Sequence, residues 1–141
     1  MTANLRDDLS LHMCIPADRC YLGNAILTLE GICDHFSFTE SSRDRIKKAL
    51  DTVLTKSIEH TYEKIEGLFE LHFSIYKDKL VIDIEDYFLE SDEVIISNSE
   101  EIKNLLMPVE DLTDGLLFID KKGRNSCFSM AFNLTFIEYN E

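Results

Sequence analysis

The stretch from Asp44 to Glu63, DRIKKALDTVLTKSIEHTYE, constrains the fold more than any other part of the sequence. Its apolar residues recur every three or four positions, which is the spacing of one face of an α-helix. These residues are Ile46, Ala49, Leu50, Val53, Leu54 and Ile58. Because such a stripe has to be buried, the stretch predicts a long helix, running to about Tyr62, that packs on a second layer.

A strand and another helix are predicted before this helix. Leu9–Ile15, LSLHMCI, alternates between apolar and polar residues, as half-buried strands do. Pro16 ends the strand, and the residues up to about Phe36 keep the helical spacing. The polar segment FTESSRD then separates the two helices. Ser41 is the expected N-cap of the second helix, with Asp44 three residues further on as in a capping box.

Two β-hairpins are predicted in the second half of the chain. The first joins Leu68–Tyr76 to Leu80–Asp86 through the turn KDK. The second joins GLLFID to a long alternating strand, NSCFSMAFNLTFIEY, through the turn KKGR. In the first hairpin Leu80, Ile82 and Ile84 share one face, and the residues between them face the other side.

The segment between the hairpins is less regular. Residues 88–99 are acidic and without a clear period, and Glu100–Leu112 indicates a short helix that Pro108 would break or kink. The whole order predicts one domain over residues 1–141 with an α+β two-layer sandwich fold. Its sheet has about five mostly antiparallel strands, with two long helices and one short helix on one face.

Composition excludes several classes of partner. With 141 residues, 45% hydrophobic and 29% charged, the chain is large enough to bury its own core. The formal net charge of −13 at pH 7 argues against nucleic acid and against an anionic membrane surface, since both require clustered lysine and arginine. A basic protein surface would instead be attracted.

The sequence also predicts a cytoplasmic protein. MTANLRDDLS lacks the apolar segment of a signal peptide, and no run approaches the roughly 18 apolar residues that span a membrane. The cysteines form no C-x-x-C pair, so we expect small buried side chains in a reducing compartment; they are Cys14, Cys20, Cys33 and Cys127. The four histidines are scattered, which predicts no metal site.

The chain resembles the histidine-kinase-like ATPase family, and most of all its short anti-sigma factor serine kinases. The resemblance extends from Leu9 to Tyr139 and is strongest in LHMCIPADRCYLGNAILTLEGICDHFSFTESSRDRIKKALDTVLTKSIEHTYE. Members share a strand that ends in Pro-Ala, a helix, a short polar break and a helix that ends in His-x-Tyr. Pro16 and Ala17 match the first of these motifs, and His60 and Tyr62 match the last.

The resemblance assigns roles to positions on the second helix. In the family this helix carries a glutamate that acts as general base and, one turn later, an asparagine that holds Mg²⁺ on ATP. The register set by His60 and Tyr62 places Thr52 at the base position and Lys56 at the metal position. Threonine does not accept a proton near neutral pH, and lysine has no acceptor atom for a metal. Lys56 could contact a phosphate directly or remain a solvated helix residue.

The glycine motifs of the family are also changed. The Asp-x-Gly-x-Gly turn, whose aspartate binds the adenine amino group, corresponds to Asp86, with Phe88 and Glu90 where glycines belong. Asp86 is otherwise explained as a strand-end turn residue. The second glycine motif falls near KNLL, Lys103–Leu106, or in another register at Asp114–Leu117. The resemblance therefore implies a scaffold whose remaining nucleotide positions are Lys56, His60 and Asp86, with no catalytic base.

Two functions follow from this resemblance. The first is a regulatory binding module with impaired or lost ATP binding, which docks to a sigma factor or an anti-anti-sigma protein through the first helix and the acidic lid. A homodimer formed at the sheet edge near the first strand is the accompanying expectation. The second is a divergent but active serine/threonine kinase, the only case in which Mg²⁺ and ATP are expected as cofactors. An unrelated α/β domain with another ligand is the remaining interpretation.

Overall fold

The computed structural model describes residues 9–63, 65–88, 104, 107–121 and 125–137. It contains a five-stranded sheet in the order β1-β2-β3-β5-β4, and all neighbouring strands are antiparallel. The strands are β1 (Leu9–Pro16), β2 (Gly67–Tyr76), β3 (Lys79–Phe88), β4 (Gly115–Lys121) and β5 (Asn125–Asn133). The helices are α1 (Leu22–His35) and α2 (Glu40–Ser57), which continues as a π-helical segment, Ile58–Tyr62.

The predicted fold class and order of elements are confirmed. Residues 107–110 are helical, and Pro108 lies within this short helix rather than at its end. The first hairpin turns at Lys77 and Asp78, as predicted, and Lys77 has a positive φ of 57°. The predicted irregular segment beyond Phe88 and the KKGR turn fall largely outside the described residues.

The core lies between the two helices and one face of the sheet. The alternation predicted for the hairpin is confirmed, because Leu80, Ile82 and Ile84 are all buried on the side that faces the helices. The largest completely buried side chains are Phe38, Phe69, Phe73 and Phe132. Each such phenylalanine contributes about 1.5–3 kcal/mol through burial alone. The other face of the sheet carries no helix among the described residues.

The predicted length of the last strand is wrong. The alternation of apolar residues continues to Phe136, but β5 ends at Asn133. Beyond it the backbone turns to the connection between α1 and α2, where Thr39 N donates to Thr135 O over 3.0 Å. Phe136 forms an isolated bridge with Phe38, so its apolar side chain is used at the end of the core rather than in the sheet.

The predicted N-cap is also wrong. Thr39, not Ser41, caps α2, and its side-chain oxygen accepts from Ser42 N at 3.4 Å. A contact with a distant part of the chain explains the choice of Thr39. Thr39 Oγ1 lies 2.5 Å from Thr135 Oγ1, and the buried Ser42 Oγ lies 3.0 Å from Thr135 Oγ1. The three hydroxyl groups fix the start of the helix against the segment that follows β5.

The cysteines are free, but they are not all buried. Cys33 is buried in α1 and Cys127 is half-buried, whereas Cys14 and Cys20 are exposed, so the prediction of buried side chains is wrong for the last two. No helix in the described part of the chain has the length and apolar character needed to cross a membrane.

Burial raises the pKa of the Cys33 thiol to about 11. The protonated thiol is therefore favoured in the folded state, and its contribution to stability is complete below the unfolded pKa of about 9 and is lost as the pH rises through 11. At pH 8 we expect iodoacetamide to modify Cys14 while Cys33 stays unmodified until the chain is unfolded in urea. Peptide mass spectrometry measures both rates, and equal rates at the two thiols in the folded protein would contradict this assignment.

Candidate functional site

Thr52 and Lys56 lie one turn apart on α2, at the border of its buried face, and both are half-buried. The Thr52 hydroxyl donates a hydrogen bond of 2.7 Å to the Lys48 carbonyl oxygen one turn earlier. This bond occupies the hydroxyl proton within the helix itself. The position at which the family resemblance expects a carboxylate therefore holds a neutral group that donates to its own helix backbone.

Lys56 lies in the last turn of α2, where the helix dipole favours a positive charge. Within the described part of the chain its ammonium group forms no ion pair. A lysine in this place presents a cation where the family resemblance expects a metal-holding asparagine, and it offers no lone pair for coordination.

The end of α2 is a π-helical segment that carries His60 and Tyr62. Such a segment adds a residue to the turn, which changes the direction of the side chains that follow. His60 is half-buried, whereas Tyr62 is only 6% exposed. The Tyr62 ring contacts the ring of Phe69 edge-on, with 5.7 Å between the centroids.

Gly67, the first residue of β2, is required by this packing. A Cβ atom at this position would overlap Tyr62 Cε1 and would lie 2.7 Å from the carbonyl oxygen of Tyr87. Both approaches are closer than van der Waals contact allows. Sequence reasoning missed this contact, although a glycine directly before a predicted strand is a usable signal of close approach.

Asp86 lies near the end of β3 on the side that faces the helices, because it continues the alternation of Ile82 and Ile84. Burial raises the pKa of the Tyr62 hydroxyl, and the nearby charge of Asp86 raises it further. The structure thus brings Tyr62, at the end of α2, close to Asp86 of β3. It places Thr52 and Lys56 earlier along the same helix.

A cavity of about 510 Å³ lies beside Tyr62. Three carboxylates contribute to its lining, those of Asp18, Glu63 and Glu66, and no arginine or lysine is among its described lining residues. Arg19 forms an ion pair of 3.0 Å with Glu63, so the charges that oppose binding of a polyphosphate here are mainly those of Asp18 and Glu66.

Only part of the two glycine motifs lies within the described residues. Phe88 ends β3, but its side chain, Glu90 and most of Lys103–Leu106 fall outside them. The alternative register at Asp114–Leu117 is wrong, because Gly115 begins strand β4 and not a helix. A glycine at a strand start does not supply the N-terminal amide groups that bind phosphates.

The five-stranded antiparallel sheet with its helices on one face has the architecture of a histidine-kinase-like ATPase domain. The chain belongs to the family of the serine-protein kinase RsbW, an anti-sigma factor kinase. It is 31% identical over 106 residues to the RsbW of Oceanobacillus iheyensis, and the match covers 74% of this chain and 67% of that protein. The RsbW of Halalkalibacterium halodurans is 26% identical over 75% of this chain and 65% of its own length.

Other comparisons agree on the fold. A match to the RsbW of Bacillus subtilis is 27% identical and covers 54% of this chain and 48% of that protein. A crystal structure of the RsbU and RsbW domains of a Mycobacterium tuberculosis protein superposes with a TM-score of 0.65 at 12% identity, covering 93% of this chain and 35% of that one. The chain matches no protein-family model.

Proposed function

We propose that this chain is a regulatory protein-binding module that docks to a sigma factor or an anti-anti-sigma protein and whose ATP binding is impaired or lost. The observation that carries the proposal is the pair Thr52 and Lys56 on α2. These residues stand at the base and metal positions of a family to which the chain belongs, and neither has the chemistry of its position.

The size of the loss can be estimated. A general base contributes roughly 10²- to 10⁴-fold to a reaction rate, and the Thr52 hydroxyl, bonded to Lys48 O, does not replace it. The positive charge of Lys56 repels Mg²⁺, on which phosphoryl transfer depends for charge neutralisation. The residues present therefore do not fit Mg²⁺-ATP, and we assign no catalytic step to them.

Helix α1 is the docking surface that we assign. Leu27 is 68% exposed on it and offers an apolar side chain to a partner. Gly23 and Gly31 lie one turn to either side of Leu27, and beyond the helix backbone no atom of the described residues lies within 4 Å of where their side chains would begin. These glycines are not needed for packing within the chain, and they permit close approach of a partner. The net charge of −13 attracts a basic partner surface. A homodimer through the edge strand β1 is part of the same proposal.

Thermal unfolding with nucleotide tests the loss of ATP binding. We expect millimolar ATP with Mg²⁺ to leave the melting temperature of the full chain where Mg²⁺ alone leaves it. A ligand that binds only the folded state stabilises it by about 2.7 kcal/mol at one hundred times its Kd, which is readily measured. A saturable, Mg²⁺-dependent rise would overturn this part of the proposal.

Binding to purified sigma factors and anti-anti-sigma proteins of the source organism tests the docking. We expect Leu27→Glu to weaken the complex about ten-fold or more, which corresponds to about 1.4 kcal/mol. Leu117→Glu is the matched control, because Leu117 is 56% exposed but lies on the other face of the sheet. If neither class of protein binds better than an unrelated basic protein, the docking proposal is wrong.

The alternative, a divergent active kinase, has one observation in its favour. Lys56 is half-buried and has no ion-pair partner among the described residues, so its charge is available to a phosphate oxygen. In that case Lys56→Ala would abolish a nucleotide-induced thermal shift that the native chain shows.

A further inference from the structure

The uncovered face of the sheet brings together a serine, a histidine and an aspartate. Strand register places His72 of β2 directly opposite Asp83 of β3, and Ser10 of β1 lies diagonally across from His72. Ser10 Oγ is 2.9 Å from His72 Nε2. On the other side of the same ring, His72 Nδ1 is 3.9 Å from Asp83 Oδ2. The order of the three groups is that of a nucleophile, a base and an orienting carboxylate.

We propose that Ser10 is a nucleophile that accepts acyl groups from activated esters, with His72 as its base and Asp83 as a positioning residue. This site is separate from the nucleotide position on α2, and the proposal does not depend on the function proposed above.

The chemical step follows from the two contacts. The ring proton of His72 is on Nδ1, which faces Asp83, so Nε2 is free to act as the base. Nε2 accepts the Ser10 proton while Ser10 Oγ bonds to the ester carbonyl carbon. The carbonyl electron pair then moves to the carbonyl oxygen. Collapse of this intermediate breaks the bond to the leaving alcohol, which departs with the electron pair and takes the proton from His72. Water then attacks the acyl-Ser10 ester by the same route and releases a carboxylic acid.

The surroundings hold the base in place. The rings of His12 and His72 stack with 3.9 Å between their centroids and 8° between their planes, so His72 cannot turn away from Ser10 without breaking the stack. A depression of about 620 Å³ adjoins the site and is lined by His72, Asp83 and the exposed Leu117. It offers space and an apolar side chain for the acyl group.

A purely structural role is the competing explanation. In that case the bond between Ser10 and His72 only joins β1 to β2, and Ser10 reacts as any exposed serine does. Ser74 is the comparison in the native chain: it lies directly opposite Ser10 on the same face and is not bonded to His72 among the described contacts, although it is half-buried where Ser10 is exposed. The His72→Gln variant, which leaves Ser10 in place, separates the effect of exposure from that of the base.

The test uses p-nitrophenyl acetate with the full chain and locates acetyl groups by peptide mass spectrometry. We expect acetylation at Ser10 and not at Ser74, loss of the fast p-nitrophenol release in Ser10→Ala, and no change in Ser74→Ala. His72→Gln should slow acetylation of Ser10 about 100-fold, which is the size of a general-base contribution. Asp83→Asn should slow it about ten-fold and Asp83→Glu should restore it, a rescue that a merely structural aspartate would not show.

Circular dichroism melts identify variants that fail to fold, and the native chain alone already decides the main point. Equal acetylation of Ser10 and Ser74 in the native protein would overturn the proposal. Acetylation of Ser10 at the native rate in a folded His72→Gln variant would overturn it as well.

Discussion

Replacing Phe38 by alanine is expected to lower the free energy of unfolding by about 3–5 kcal/mol, the range for removing a buried phenylalanine ring. Phe38 has no exposed surface, and its ring contacts that of Phe136 edge-on with 5.7 Å between the centroids. The backbone bridge between the same two residues also loses support when the rings separate. Urea unfolding followed by circular dichroism measures the change.

Leu27→Ala is the control for Phe38→Ala. Leu27 is 68% exposed, so its truncation should change the unfolding free energy by no more than about 0.5 kcal/mol. The slope of the free energy with urea should be the same for both variants, which shows that the same surface unfolds. A Phe38→Ala protein as stable as Leu27→Ala would mean that the segment after β5 does not close the core as described.

Gly67→Ala is expected to destabilise the fold by about 3 kcal/mol, at the upper end of what overpacking costs. The added methyl would overlap the Tyr62 ring, which is itself held against Phe69. It would also lie 2.7 Å from the carbonyl oxygen of Tyr87, and a backbone atom in a sheet cannot move away cheaply. Thermal and urea unfolding both report this loss.

Gly31→Ala provides a control of opposite sign. Gly31 lies within α1, and nothing is within 4 Å of the position that its Cβ would take. Alanine is preferred to glycine in a helix by about 1 kcal/mol, so this variant should be more stable than the native chain. If Gly67→Ala also stabilised the protein, the close packing of Tyr62 on β2 would be disproved.

Most of the architecture could be predicted from the sequence because the apolar face that the periodicity indicates is the face that is buried in the structure. In β3 the alternation of Leu80, Ile82 and Ile84 fixed the face that packs on the helices. Two boundaries were wrong for one shared reason. The contact of Thr39 with Thr135 selects the N-cap of α2 and directs the chain away from the sheet after Asn133. Thr39 and Thr135 are 96 positions apart in the sequence. No local pattern carries that information.

In the candidate site, too, local motifs gave assignments, whereas contacts between distant segments were missed. The roles of Thr52, Lys56 and Asp86 were assigned from a motif register along one helix and one strand, and they stay predictions. The contact of Tyr62 with Gly67 depends on how the end of α2 meets β2, so it was missed. The pair Ser10 and His72, separated by 62 positions, requires the register of β1 against β2, which the hydrophobic pattern alone does not define.

The pairing of the α1–α2 connection with the segment after β5 sets an order of events during translation. When the two helices leave the ribosome, Phe38 and Thr39 have no partners, because Thr135 and Phe136 have not yet been synthesised. The two helices therefore lack these contacts while the four strands β2 to β5 are synthesised. This end of the core can therefore close only after the segment that follows β5 has been synthesised.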